Sequence, residues 1–176
     1  MFVELDEQNR DLGVLSLEGS SKPLLATEFN ERNGEISPDG RWLAYQSDAS
    51  GQHEIYVRPF PNVEDGQWSI SSGGGTRPLW SPDGRELFYL TPDARLMAVG
   101  VETEPGFAPG NAKEVFAGGY YAPDASSPGR TYDISPDGKR FLMIKEGGPG
   151  DETEPTQLIL IQNWFEELNR LVPTGN

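Results

Sequence analysis

The sequence predicts an all-β fold: a partial β-propeller of about three and a half four-stranded antiparallel blades, with a short C-terminal amphipathic helix. Three observations carry that reading. The tetrapeptide Ser-Pro-Asp-Gly occurs three times, with its serines 44 and 54 residues apart, which is the range of a propeller-blade repeat. Each copy sits between an apolar residue (Ile36, Trp80, Ile134) and a basic residue that opens a short apolar stretch. The 176 residues hold 21 Gly and 15 Pro against 35% hydrophobic residues, a balance suited to many short strands and turns rather than long helices.

Each element follows from local chemistry. In Ser37-Pro38-Asp39-Gly40, Ser81-Pro82-Asp83-Gly84 and Ser135-Pro136-Asp137-Gly138, Pro presets φ, Asp bonds nearby backbone N–H groups and Gly accepts positive φ. Each tetrapeptide is therefore a hairpin corner. The strands leaving it are Arg41–Tyr45, Arg85–Tyr89 and Lys139–Met143, followed by third strands at Glu54–Val57, Arg95–Val99 and Gln157–Ile161. Fourth strands follow at Gln67–Ile70 and Lys113–Phe116. Within a propeller segment of 1–172, residues 33–72 and 77–117 then read as complete blades, and 130–163 as a three-stranded one. Residues 1–28 supply the last three strands of an earlier blade, at Phe2–Leu5, Leu12–Leu17 and Pro23–Thr27. Beyond Asn163, which caps with Glu166 three residues on, Trp164, Leu168 and Leu171 share one face of a helix over 164–172 that stops at Pro173. An arc of this size leaves apolar blade faces uncovered, so self-association of the open edges is expected.

Composition removes several functions. The formal charge is −14, from 14 Lys and Arg against 28 Asp and Glu, and such a chain is repelled by polyphosphate, so no nucleic-acid partner is expected. There is no cysteine and a single histidine, His53, which removes disulfides, thiolate chemistry and multi-His zinc sites; no cofactor and no metal is expected. No apolar run nears the roughly 20 residues needed to cross a bilayer, so this segment is not expected to insert in a membrane.

With Ser-Pro-Asp-Gly-Arg-x-Leu-x-Tyr in place, and with Tyr45-Gln46-Ser47-Asp48-Ala49-Ser50-Gly51-Gln52-His53-Glu54-Ile55-Tyr56 as a second-to-third strand hairpin, the chain resembles the WD40-like propeller repeats of the TolB type over residues 30–163. The resemblance implies the fold. Such blades occur in periplasmic translocation factors, in gating propellers of prolyl-oligopeptidase-type peptidases, in polysaccharide lyases and behind bacterial Ser/Thr kinases. The succession Tyr56-Val57-Arg58-Pro59-Phe60-Pro61, Ser72-Gly73-Gly74-Gly75-Thr76, Trp80-Ser81 and Asn163–Leu168 is similar to the C-terminal propellers of the kinases. That likeness implies a C-terminal fragment of a larger kinase-linked protein, cytoplasmic or extracytoplasmic according to what precedes it. The kinase motifs themselves, a Gly-rich nucleotide loop, His-Arg-Asp and Asp-Phe-Gly, do not occur in this sequence.

Candidate sites are weighed against structural roles. Asp39, Asp83 and Asp137 recur at every corner and read as turn caps rather than catalytic acids. Gly73-Gly74-Gly75-Thr76 lacks the lysine of a phosphate-binding loop and reads as an interblade link. His53 reads as a solvated turn residue. Arg32, Arg77 and Arg130 stand five, four and five residues before their motif serines, where the chain enters each innermost strand at one mouth of the channel. There they could hold a carboxylate, a phosphate or a protein partner, or pair with Glu31, Glu35 or Asp133. Trp164 and Phe165 dock on the chain's own propeller or form a second candidate partner surface. The expected function is a non-catalytic interaction or sensing module. The alternatives are a TolB-like periplasmic protein-binding propeller, and an accessory or catalytic propeller of a peptidase or polysaccharide lyase.

Overall fold

The structure, a computed structural model, describes residues 2–5, 9–127, 129–145 and 158–161, with the first and last of these segments given as backbone. The helix expected over 164–172, with Trp164 and Phe165, lies outside the described residues. The described residues form fourteen strands: β1 Phe2–Leu5, β2 Arg10–Leu15, β3 Ser21–Leu25, β4 Glu31–Ile36, β5 Trp42–Ser47, β6 Glu54–Pro59, β7 Trp68–Ser69, β8 Thr76–Trp80, β9 Glu86–Leu90, β10 Arg95–Glu102, β11 Ala108–Ala117, β12 Tyr132–Ile134, β13 Phe141–Ile144 and β14 Leu158–Ile161. They form four antiparallel meanders, β1-β2-β3, β4-β5-β6-β7, β8-β9-β10-β11 and β12-β13-β14. The all-β propeller-blade architecture read from the sequence is therefore present. Strand bounds shift in places: β3 starts at Ser21 rather than Pro23, and β11 runs back to Ala108 as an outer edge. Pro109 fits there because an edge strand leaves one side of its backbone unpaired.

The corners explain why these strands begin where they do. In the first, the Ser37 hydroxyl donates to Asp39 Oδ1 at 2.5 Å, and the Arg41 N–H donates to the same oxygen at 3.1 Å. The Trp42 N–H returns to Ser37 Oγ at 2.9 Å. The same three bonds recur around Ser81, Asp83, Arg85 and Glu86, and around Ser135, Asp137, Lys139 and Arg140. Gly40, Gly84 and Gly138 take φ of 74°, 71° and 71°, a left-handed backbone that glycine adopts without strain. Successive corners also nest: a Cβ on Gly84 would lie 3.6 Å from Pro38, and one on Gly138 3.9 Å from Pro82. A fourth corner, Thr91-Pro92-Asp93-Ala94 between β9 and β10, repeats the chemistry one hairpin later, with Ala94 at φ 61°.

Alternation along the strands sends side chains into both faces of each inner sheet. On β5, Leu43 and Tyr45 pack with Leu12 and Leu25 of the first sheet, while Trp42 and Ala44 face Trp80, Leu87, Tyr89 and Phe107 of the third. A third seam joins Leu79, Phe88, Leu90 and Leu96 to Tyr132, Phe141 and Met143 of the last sheet. Each large side chain fully buried there stabilises by roughly 1.5–3 kcal/mol relative to exposure. On β13 the two-sided burial ends: Phe141 and Met143 are buried, but Leu142 and Ile144 are each 41% exposed, on a face that no further sheet covers among the described residues.

Candidate functional site: the channel mouth

The ends of β4 and β8 opposite the corners are built differently. Both strands carry a bulge just inside their start, between Arg32 and Glu35 and between Thr76 and Leu79. At these bulges Asn33 and Arg77 adopt φ of 50° and 56°, a backbone seldom taken by non-glycine residues and one that re-aims the side chain. Gln46, fully buried on β5, holds both bulges. Its Oε1 accepts from Asn33 Nδ2 at 2.8 Å and from the Arg77 N–H at 3.0 Å. One side chain thereby ties two neighbouring blades together.

The segment Tyr121–Arg130, between the third and fourth sheets, folds across this mouth. Arg77, 1% exposed, gives all of its guanidinium N–H groups to it and to Thr76. Nε donates to Gly129 O at 3.1 Å, Nη1 to Pro123 O at 3.1 Å and to Thr76 Oγ1 at 3.2 Å, and Nη2 to Asp124 O at 3.0 Å and Ser127 O at 3.1 Å. Gln46 Nε2 donates to Ala125 O at 3.0 Å. Arg10 Nη1 donates to Ser126 O at 3.3 Å, and Arg32 Nη1 donates to that same oxygen. The segment presets its own shape, since Asp124 Oδ1 accepts from the Ser126 N–H at 2.7 Å and Asp124 O accepts from the Ser127 N–H at 2.9 Å. Burial, with the neighbouring Arg10 adding to it, lowers the pKa of Arg32 from the usual guanidinium value, and burial does the same at Arg77.

The three arginines singled out in the sequence therefore part company. Arg32 and Arg77 meet over the segment, whereas Arg130 turns away and pairs with Glu35 at 2.5 Å and Asp133 at 3.2 Å. The off-by-one count before the motif serine has a structural meaning: Arg77 aligns with Asn33 at the left-handed bulge position, and Arg32 with Thr76 and Arg130. Arg10 and Gln46 were missed. Gln46 had one signal, an amide closing the apolar run of β5.

Other candidates resolve locally. The N–H groups of Gly73 and Gly74 do cradle an anion, but it is the chain's own Glu54, whose Oε1 accepts from them at 2.8 and 2.9 Å, while the Ser71 hydroxyl donates to Oε2. His53 is half-buried rather than solvated, and burial lowers its pKa against the opposing pull of Asp48. The corner carboxylates are occupied by their own turns; a shallow cleft of about 250 Å³ between the second and third corners is lined by Ser81, Pro82, Asp83, Glu86 and Pro136–Gly138. Among the described residues no group of three or more His, Cys, Asp or Glu side chains could hold a metal ion. No helix among them is long and apolar enough to cross a membrane.

No protein-family model matches the sequence. Over 67 residues, 37% of this chain, it is 36% identical to dipeptidyl aminopeptidase BI of Pseudoxanthomonas mexicana, of which that stretch is 9%. TolB from Acinetobacter baumannii superposes with a TM-score of 0.66 at 15% identity, over 92% of this chain and 37% of that one. A protein described as TolB from Agrobacterium tumefaciens gives 0.65 at 15% identity, over 91% and 55%. Oligogalacturonate lyase from Vibrio parahaemolyticus gives 0.51 at 20% identity, over 76% and 36%. The chain thus spans little more than a third to a half of the TolB chains it matches, and in fold it is a TolB-like β-propeller segment.

Proposed function

We propose that this chain is a non-catalytic binding propeller of the TolB-like kind, which recognises a protein or a small anionic ligand at the channel mouth. The observation that carries this reading is the contrast in how polar groups are used. Every corner carboxylate is held by its own turn, while the polar side chains that do not repeat converge at the mouth to hold backbone carbonyls. That is an apparatus for holding. A panel of peptide and polyuronide substrates tests it: no turnover is expected, and measurable turnover lost on mutating a channel residue would overturn it.

The short stretch shared with dipeptidyl aminopeptidase BI favours a second reading, an accessory propeller of a peptidase. The kinase-linked reading rests on the sequence resemblance alone. The flanking coding sequence separates all three, since a kinase domain, a peptidase domain or further blades would adjoin this segment. The uncovered face carrying Leu142 and Ile144 supports self-association through the open edge. Light scattering is expected to show mass rising with concentration, and a clean monomer would remove that part of the proposal.

A further inference from the structure

The segment across the mouth is bound in an unusual way. Its hold on the blades runs through the carbonyls of Pro123, Asp124, Ala125, Ser126, Ser127 and Gly129. Apart from Ala122, which packs against the seam between the third and fourth sheets, its side chains stay outside the core, with Tyr121, Asp124 and Ser126 exposed and Pro123, Ala125 and Ser127 half-buried. A segment anchored by polar bonds with little apolar burial opens at a small fraction of the global unfolding free energy. The groups it covers are the opposite in character, since Arg77, Gln46 and Arg32 are 1%, 0% and 9% exposed.

The fit is also incomplete. Arg32 Nε is buried without a hydrogen-bond partner. Arg10 and Arg32 direct two positive charges at the single neutral oxygen of Ser126 and make no ion pair among the described residues. When the segment lifts, the Asp124 carboxylate leaves with it, and the mouth becomes more positive in an otherwise acidic chain. A carboxylate oxygen at the Ser126 position would add ion pairing with Arg10 and Arg32 to the bonds that the carbonyl already accepts.

We propose that Pro123–Ser127 is the resident internal ligand of a peptide-binding cradle made by Arg10, Arg32, Gln46 and Arg77, and that the cradle takes in its place a short turn-forming peptide ending in a free carboxylate where the Ser126 carbonyl lies. This deepens the channel-mouth reading given above and rests on it. The chain's own sequence supplies the probe, the six-residue peptide Tyr-Ala-Pro-Asp-Ala-Ser of residues 121–126, labelled at its N-terminus and made either as the free acid or as the amide.

Binding is measured by fluorescence anisotropy to the intact chain and to a chain whose residues 123–127 are replaced by two glycines. The acid is expected to bind the shortened chain about tenfold more tightly than the amide, and the intact chain at least about tenfold more weakly than the shortened one. Adding Arg32→Ala to the shortened chain is expected to abolish the preference for the acid. If the shortened chain does not fold by circular dichroism, the full-length Pro123→Gly, Ala125→Gly chain serves instead, with an affinity above that of the intact chain. Equal affinity of acid and amide overturns the carboxylate assignment, and equal affinity of intact and opened chains overturns the resident-ligand assignment. No binding to a folded opened chain overturns the cradle itself. Turnover in the substrate panel would sink the non-catalytic reading without altering these results, so the two fail separately.

Discussion

The two ends of the innermost strands use the same kinds of polar residue for opposite purposes. At the corner end, Asp39, Asp83 and Asp137 meet the same partners in the same geometry, and each neighbouring corner rests on the last. At the other end the backbone bulge recurs on β4 and β8, but the side chains and their partners do not. Aligned positions hold Asn33, Arg77 and Thr131, and Arg32, Thr76 and Arg130, and their side chains go to different places. In a repeat protein the interactions that recur are those every blade needs in order to stack. Those occurring once are free to serve recognition, so ligand chemistry is to be sought where the repeat is broken.

Substitutions can sharpen or break that contrast. The largest effect is expected for Arg77→Ala, which removes a donor from four backbone carbonyls and from Thr76 Oγ1; we expect a loss of about 3 kcal/mol in urea unfolding, together with rapid proteolysis within 121–130. A loss no greater than that of a surface charge would mean that the segment is not clamped. Next comes the corner. Asp83→Ala is expected to remove about 1–2 kcal/mol at neutral pH, through two bonds to one carboxylate oxygen. The donated Ser81 hydroxyl holds the Asp83 carboxyl below its usual pKa, with burial opposing and the Arg85 N–H adding to the lowering. The stabilisation is therefore fully present above the unfolded value near about 4 and is lost as pH falls through the lower folded value. An Asp83→Asn chain, compared by thermal melts from pH 7 to pH 2, should lack that acid-side decline.

A smaller effect of opposite sign is expected at the fourth corner. Ala94→Gly relieves a left-handed alanine and should raise stability by about 0.5–1 kcal/mol, read as an upward shift of the melting temperature. Arg130→Ala is expected to change stability by less than about 1 kcal/mol, because its pair with Asp133 is solvent-exposed and its pair with Glu35 is only half-buried. An effect as large as that of Arg77→Ala would return Arg130 to the site.

The corners were legible in the sequence because their chemistry is local: four consecutive residues contain the whole turn, and three copies confirm the period. The mouth was legible only in outline. Counting back from the motif serines located Arg32, Arg77 and Arg130, but a bulge is a backbone event without a residue signature, and it decides which way each side chain points. Tyr121–Arg130 lies in the longer, 54-residue spacing between motif serines, yet its bonding uses carbonyls, which every residue has. Glu54 and the Gly73–Gly74 amides lie 19 and 20 residues apart, and only the fold brings an internal anion to a loop that sequence alone assigned to a simple link.

Three of the four tryptophans, Trp42, Trp68 and Trp80, are gathered around Phe107 in the seam between the two central sheets, with ring centroids 5.0, 5.3 and 6.4 Å from it. Intrinsic emission from this chain is thus dominated by a built-in gauge of whether those sheets stay together. Splaying them would admit water and move the emission to longer wavelength. Lifting the strip over the opening, which contains no indole, would leave the spectrum almost unchanged, so one cuvette can tell a local release from a global collapse.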